Sequence, residues 1–169
     1  MKKINNWLIW SGILIFAQSL IINKIQVYGF LNPYIYVSVF LIVPTSIGKI
    51  PLLLIGALVG SFMDLILLTG GIHLMASTLT CFFQPKILGY IVPRADEENL
   101  PFMPSEMGIP KWLIYSGSTI LIHHTYLFFV DSHSFNAPLY LIWRIIISTF
   151  ATTILTMSIL FFVKKQIDK

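Results

Sequence analysis

Charge is scarce in this chain. Asp, Glu, Lys and Arg make up 11% of its 169 residues, hydrophobic residues make up 56%, and the mean hydropathy is +0.82. A water-soluble domain of this length could not hide so much apolar surface, so a soluble globular fold is excluded. Cysteine is nearly absent as well. Cys81, the single one, lies in an apolar run; it cannot close an intramolecular disulfide and reads as a small packing residue. With only seven acidic residues the net charge is +4, which could suggest a nucleic-acid partner. The basic residues, however, come singly or in pairs and never as a patch or stripe, so nucleic-acid binding is excluded and they read as topology signals. A nucleophile–base pair, a phosphate-binding loop and a paired metal motif are missing too. Ser116-Gly117-Ser118 falls inside an apolar helix with no flanking strand, not at a hydrolase elbow. The expectation is a non-enzymatic protein without a cofactor.

What the chain does have is long apolar runs. Six can be marked: Trp7 to Ile22, Tyr34 to Ile47, Leu52 to Leu68, Ile72 to Val92, Trp112 to Val130 and Leu139 to Val163. A helix needs about 20 residues to cross a ~30 Å hydrocarbon core. The pattern therefore predicts an all-α membrane protein, a six-transmembrane-helix bundle forming one domain over residues 1–169. The first two runs are short. The second, bounded by Pro33 and Pro44, is expected to be tilted, broken or partly re-entrant. Gln84-Pro85 should kink or divide the fourth run. Tyr28, Tyr34, Tyr36, Tyr90, Trp112 and Tyr126 lie near predicted span ends, where amphipathic rings favour the membrane interface. Residues 93–111 hold four of the seven acids and four of the nine prolines, and read as a loop.

Orientation follows from the basic residues. With both termini in the cytoplasm, the inner side carries nine of them (Lys2, Lys3, Lys49, Lys86, Arg94, Lys111, Lys164, Lys165 and Lys169) and the outer side carries Lys24. An alternative is that Lys2-Lys3, the following apolar run and Ala17-Gln18-Ser19 form a cleavable signal peptide, which would leave five spans.

Polar residues inside spans are costly and need a partner or a task. Asp64 lies thirteen residues beyond Pro51, about 20 Å along its helix. Arg144 lies six residues beyond Pro138, about 9 Å from the outer end of its span, and His123 and His124 about 17 Å beyond Trp112. These four share a depth, and His73 opens the fourth span on the same side. They form either a polar site or proton relay, or an Asp64–Arg144 ion pair with histidine hydrogen bonds that only fixes packing. Arg144 could instead snorkel outward. By residue type the histidines and Asp64 could hold a metal, but adjacent histidines diverge by about 100° on a helix, which disfavours it. Gly56-x-x-x-Gly60 permits close helix approach, and Asp64 continues that row, on the face expected to meet protein. The hydroxyls of Ser148, Thr149, Thr152, Thr153 and Thr156 are expected to bond the preceding turn or a neighbouring helix.

An ordered series of short motifs runs through residues 30 to 163: Asn32-Pro33-Tyr34-Ile35-Tyr36-Val37; Gly56-x-x-x-Gly60-x-x-x-Asp64; Thr69-x-Gly71-x-His73-x-x-Ala76-Ser77-Thr78; Met107-Gly108; His123-His124; Phe128-Phe129; and Arg144-x-x-x-Ser148-Thr149. The series resembles the MreD family of rod shape-determining proteins, most closely its Bacteroidetes-type branch, and Gln84-Pro85 departs from the Arg-Pro usual there. The resemblance implies a multi-pass inner-membrane scaffold of the cell-elongation machinery. Its implied partner is MreC, with RodA and the elongation penicillin-binding transpeptidase in the wider assembly supporting peptidoglycan synthesis. It also implies a fold similar to the substrate-binding components of energy-coupling-factor transporters. The alternative function is accordingly the binding component of a small-molecule, vitamin-type importer.

Overall fold

The computed structural model describes residues 2–24, 31–92, 107–132 and 137–167, with side chains described over 7–23, 31–92, 107–132 and 137–163. Every regular element among them is helical: α1 Lys2–Leu20, 3₁₀ turns at Ile22–Lys24 and Ile35–Val37, α2 Ser38–Leu41, α3 Lys49–Leu67, α4 Ile72–Ile91, α5 Ile109–Asp131 and α6 Pro138–Ile167. Most of the 93–111 loop, Tyr28, and the side chains of Lys2, Lys3, Lys24, Arg94, Lys164, Lys165 and Lys169 lie outside the described residues.

The helices carry an inverted pattern. Small and polar residues face inward: Gly56 and Gly60 on α3, Ser77 and Thr80 on α4, Ser116 and Thr119 on α5, Ser148, Thr152 and Thr156 on α6. Large apolar residues such as Leu54, Leu58, Leu65, Phe150 and Phe162 face outward. So much outward apolar surface needs an apolar solvent. Three helices, Lys49–Leu67, Ile109–Asp131 and Pro138–Val163, are long and apolar enough to cross a membrane, and Trp7–Leu20 is a shorter apolar helix.

Helices α3, α4, α5 and α6 pack in chain order, each against the next, and α1 leans on the 35–41 segment. The closest approach is between α3 and α4. A methyl on Gly60 would sit 2.5 Å from the His73 carbonyl oxygen, and one on Gly56 would sit 2.8 Å from Cys81 Sγ. The sharp α3–α4 turn needs left-handed backbone at Leu68 (φ 56°), Gly70 (φ 65°) and Gly71 (φ 101°); glycine adopts it without a Cβ penalty. Pro85 sits inside α4 without dividing it, since the helix runs on to Ile91.

The second apolar run is short and broken, in line with its bounding prolines, and is not a regular transmembrane helix. It contains seven helical residues, Ile35 to Leu41, about 10–12 Å of helix, far short of a crossing. Residues 35–43 are nonetheless all buried. The segment threads the interior, entering near the α3–α4 turn and leaving at the opposite end. Its orientation is recorded by three contacts down α6: Asn32 N–H donates to Ser148 Oγ at 3.1 Å, Tyr34 N–H to Thr152 Oγ1 at 3.2 Å, and Ser38 Oγ pairs with Thr156 Oγ1 at 2.9 Å. The Ser148 and Thr152 hydroxyls, four residues apart on one helix face, thus satisfy a backbone too irregular to satisfy itself, and Thr156 one turn on pairs with a side chain. The expected interfacial rings behave differently from one another. Tyr36 and Trp112 are fully buried in this core, whereas Tyr90 is exposed.

Candidate functional site

Asp64 sits one turn from the end of α3, facing α4. Its carboxylate accepts from the backbone N–H of His73 at 3.0 Å and Leu74 at 2.8 Å, and from Thr69 Oγ1 at 2.5 Å. Those two amides are the second and third of α4, whose own N-cap is Gly71 without a capping side chain. The acid therefore caps the next helix from the preceding one, and its negative charge meets the positive end of that helix dipole.

Arg144 does not pair with Asp64, as the sequence suggested. Its Nη1 donates to Asp131 Oδ2 at 2.9 Å. Its guanidinium carbon lies 4.3 Å from the Phe128 ring centroid, at cation–π range. With the Asn32 amide oriented to satisfy both ends, Asn32 donates to the Leu31 carbonyl at 3.1 Å and accepts from Arg144 Nη2 at 2.8 Å. Asp131 closes α5 and Arg144 lies early in the antiparallel α6, so a short connection brings them together. An acid in the last turn of one helix followed by a cation in the second turn of the next was the signal that sequence reasoning passed over.

His73 and His123 converge on Tyr36, which sequence reasoning missed as a hub. Its hydroxyl bonds His73 Nδ1 at 2.9 Å and His123 Nε2 at 2.6 Å, with Ser77 Oγ at 3.4 Å. One hydroxyl proton serves two ring nitrogens, so one imidazole accepts and the other donates. His124 stands apart from this chain. Its Nδ1 donates to the Ile120 carbonyl at 3.1 Å, and its ring stacks on Phe128 at 5.3 Å. His123 Nδ1 and His124 Nε2 are buried without a partner among the described residues. Both rings point inward because the buried face of α5 takes Trp112, Tyr115, Ser116, Thr119, Ile120, His123, His124, Leu127 and Phe128, spaced three, four and one apart. No group of three His, Cys, Asp or Glu residues able to hold a metal occurs among the described residues.

Above this cluster, at the α3–α4 turn, a cleft of about 260 Å³ opens between Asn23, Asn32, Tyr34, Thr69, His73, Asp131 and Arg144, with Leu67, Ile72 and Leu127 as apolar walls. A second cavity, about 340 Å³, lies at the opposite end beside Pro44, Lys49, Gln84 and Pro85. Gln84 is buried there and donates from Nε2 to Tyr115 Oη. Against known proteins, no family matches the sequence, and no curated protein or solved structure is detectably similar to it.

Proposed function

We propose that this chain is a multi-pass inner-membrane scaffold of the MreD type that docks MreC, with RodA and the elongation transpeptidase in the wider assembly, and that it acts without catalysis. The ordered motifs from Asn32 to Thr149 motivate the reading. The structural observation that carries it is the interior filled by the protein's own residues 35–43. A bundle plugged by its own chain offers partners its outer faces rather than a central chamber. An apolar groove of about 380 Å³ between α4 and α5, lined by Leu79, Leu121, Ile122, Thr125, Tyr126 and Phe129, has the character of a seat for a partner helix. Six passes follow if the 31–48 segment counts as an interior crossing beside α1, α3, α4, α5 and α6. The nine-to-one basic asymmetry then puts both ends in the cytoplasm.

The second reading, a binding component of an importer, draws support from the polar cleft at the α3–α4 turn. Affinity capture of a tagged chain from native membranes separates the two. Recovery of MreC with loss of elongation in a clean deletion is the expected result. Recovery of an energising ATPase module, with normal cell shape in the deletion strain, overturns it.

A further inference from the structure

The polar cleft at the α3–α4 turn is donor-rich, and its donors are not used up. Arg144 carries five N–H groups, of which, among the described residues, two are taken, by Asp131 and Asn32. Asn23 Nδ2 is buried without a partner among the described residues, while its Oδ1 accepts from Gln18 at 2.7 Å. The Tyr34 hydroxyl has no hydrogen-bond partner among the described residues, although its ring is packed among His73, His124 and Phe128. His73 lines the cleft, and its Nδ1 is engaged by Tyr36. A buried polar group left unpaired is costly, so the Asn23 amide, beside a guanidinium and a hydroxyl with donors to spare among the described residues, points to something that completes them. The acceptors nearby are committed: Asp64 to the α4 cap and Asp131 to Arg144.

We propose that this cleft binds the carboxylate of a small organic acid, held by Arg144 with the Tyr34 hydroxyl and the Asn23 amide, its body lying on Leu67, Ile72 and Leu127. A guanidinium with unused N–H groups fits the two oxygens of a carboxylate, and its orientation is already fixed by Phe128, Asp131 and Asn32. A cleft of about 260 Å³ has room for one compact organic acid. Asp131 competes for the same guanidinium, which gives the proposal an opposite-sign signature. Removing the Tyr34 hydroxyl weakens binding, whereas neutralising Asp131 strengthens it. The inference concerns the cleft alone; which partner is captured from membranes does not decide it.

The test uses the full chain in lipid nanodiscs. Acetate, butyrate, hexanoate and benzoate are each titrated beside their amides, with laurate as a membrane-borne acid, and thermal stabilisation is read. At least one acid stabilises where its amide does not. Tyr34→Phe, which keeps the packed ring, weakens that acid about tenfold, the usual scale for one hydrogen bond to a charged group. Asp131→Asn tightens it by a similar factor. A response to short acids assigns a soluble ligand, and a response to laurate alone assigns a fatty acid. Arg144→Gln abolishes the effect if it folds; Tyr34→Phe keeps the test decisive if it does not. Equal action of acids and amides, no stabilisation by any acid, or an unchanged response in both Tyr34→Phe and Asp131→Asn overturns the proposal.

Discussion

Asp64 shows how a charged residue can sit within an apolar helix without a cationic partner. Three hydrogen bonds, two of them from the free amides that open α4, replace the water it would otherwise need. Losing such a cap costs about 0.5–2 kcal/mol in soluble proteins. Asp64→Ala should lower unfolding stability on that scale, and Asp64→Asn by less, because an amide oxygen can still accept one backbone bond. Arg144 belongs to a different network, so Asp64→Ala and Arg144→Ala should be additive, while Asp131→Ala and Arg144→Ala should couple. Double-mutant cycles from denaturant titrations of the purified protein check both statements. Coupling between Asp64 and Arg144 larger than that between Asp131 and Arg144 would reject this assignment. The candidate residues were visible in the sequence because ionisable groups inside apolar runs stand out. Their pairing was not, because depth along a helix leaves its azimuth open. Asp64 faces the start of α4, while Arg144 faces the end of α5.

At the scale of elements, two contacts hold the arrangement. The first is the α3–α4 seam. Gly60→Ala would drive a methyl against the His73 carbonyl, where backbone cannot yield as a side chain would. The expected cost is about 1–3 kcal/mol from overpacking, together with loss of the Asp64 cap as the helices part. Gly12→Ala, with nothing within 4 Å, is the matched control and should be neutral or mildly stabilising. Equal unfolding midpoints for the two variants would show that the seam is looser than described. The second contact is the hydroxyl ladder of α6. Thr152→Val keeps the shape but strands the Tyr34 amide, and should cost about 1–3 kcal/mol. Ser38→Ala combined with Thr156→Val removes both members of a pair and should cost less than either single change. Unfolding curves of Thr152→Val, the two single changes of the pair and their combination measure this asymmetry.

Across the whole molecule, the paired segments and turns imply alternate ends for the Thr69 turn and the Thr45 turn. A single cysteine at Thr69, in a Cys81→Ala background, should be labelled from outside intact cells. One at Thr45 should be labelled only after permeabilisation. The reverse pattern would overturn the orientation proposed from the basic residues. Cys81 itself, buried against Gly56, should stay unreactive in the folded protein.

By itself, the sequence determined the helical class, the long apolar helices, the short break between the third and fourth apolar runs, and the small-residue face of α3. Each of these rests on local composition, on a 3.6-residue period or on residues with restricted backbones, all of which are written along the chain. The sequence already marked the second apolar run as short and broken between its prolines; only the tertiary structure decided that it threads the interior. Its apolar residues alone do not show this; what does is the hydroxyl ladder more than a hundred residues away on α6. The same reason made Tyr36 the meeting point of two histidines and gave Arg144 to Asp131. Hydrogen-bond partners are chosen by the azimuth and register of packed helices, and those are set by the packing of all the elements together.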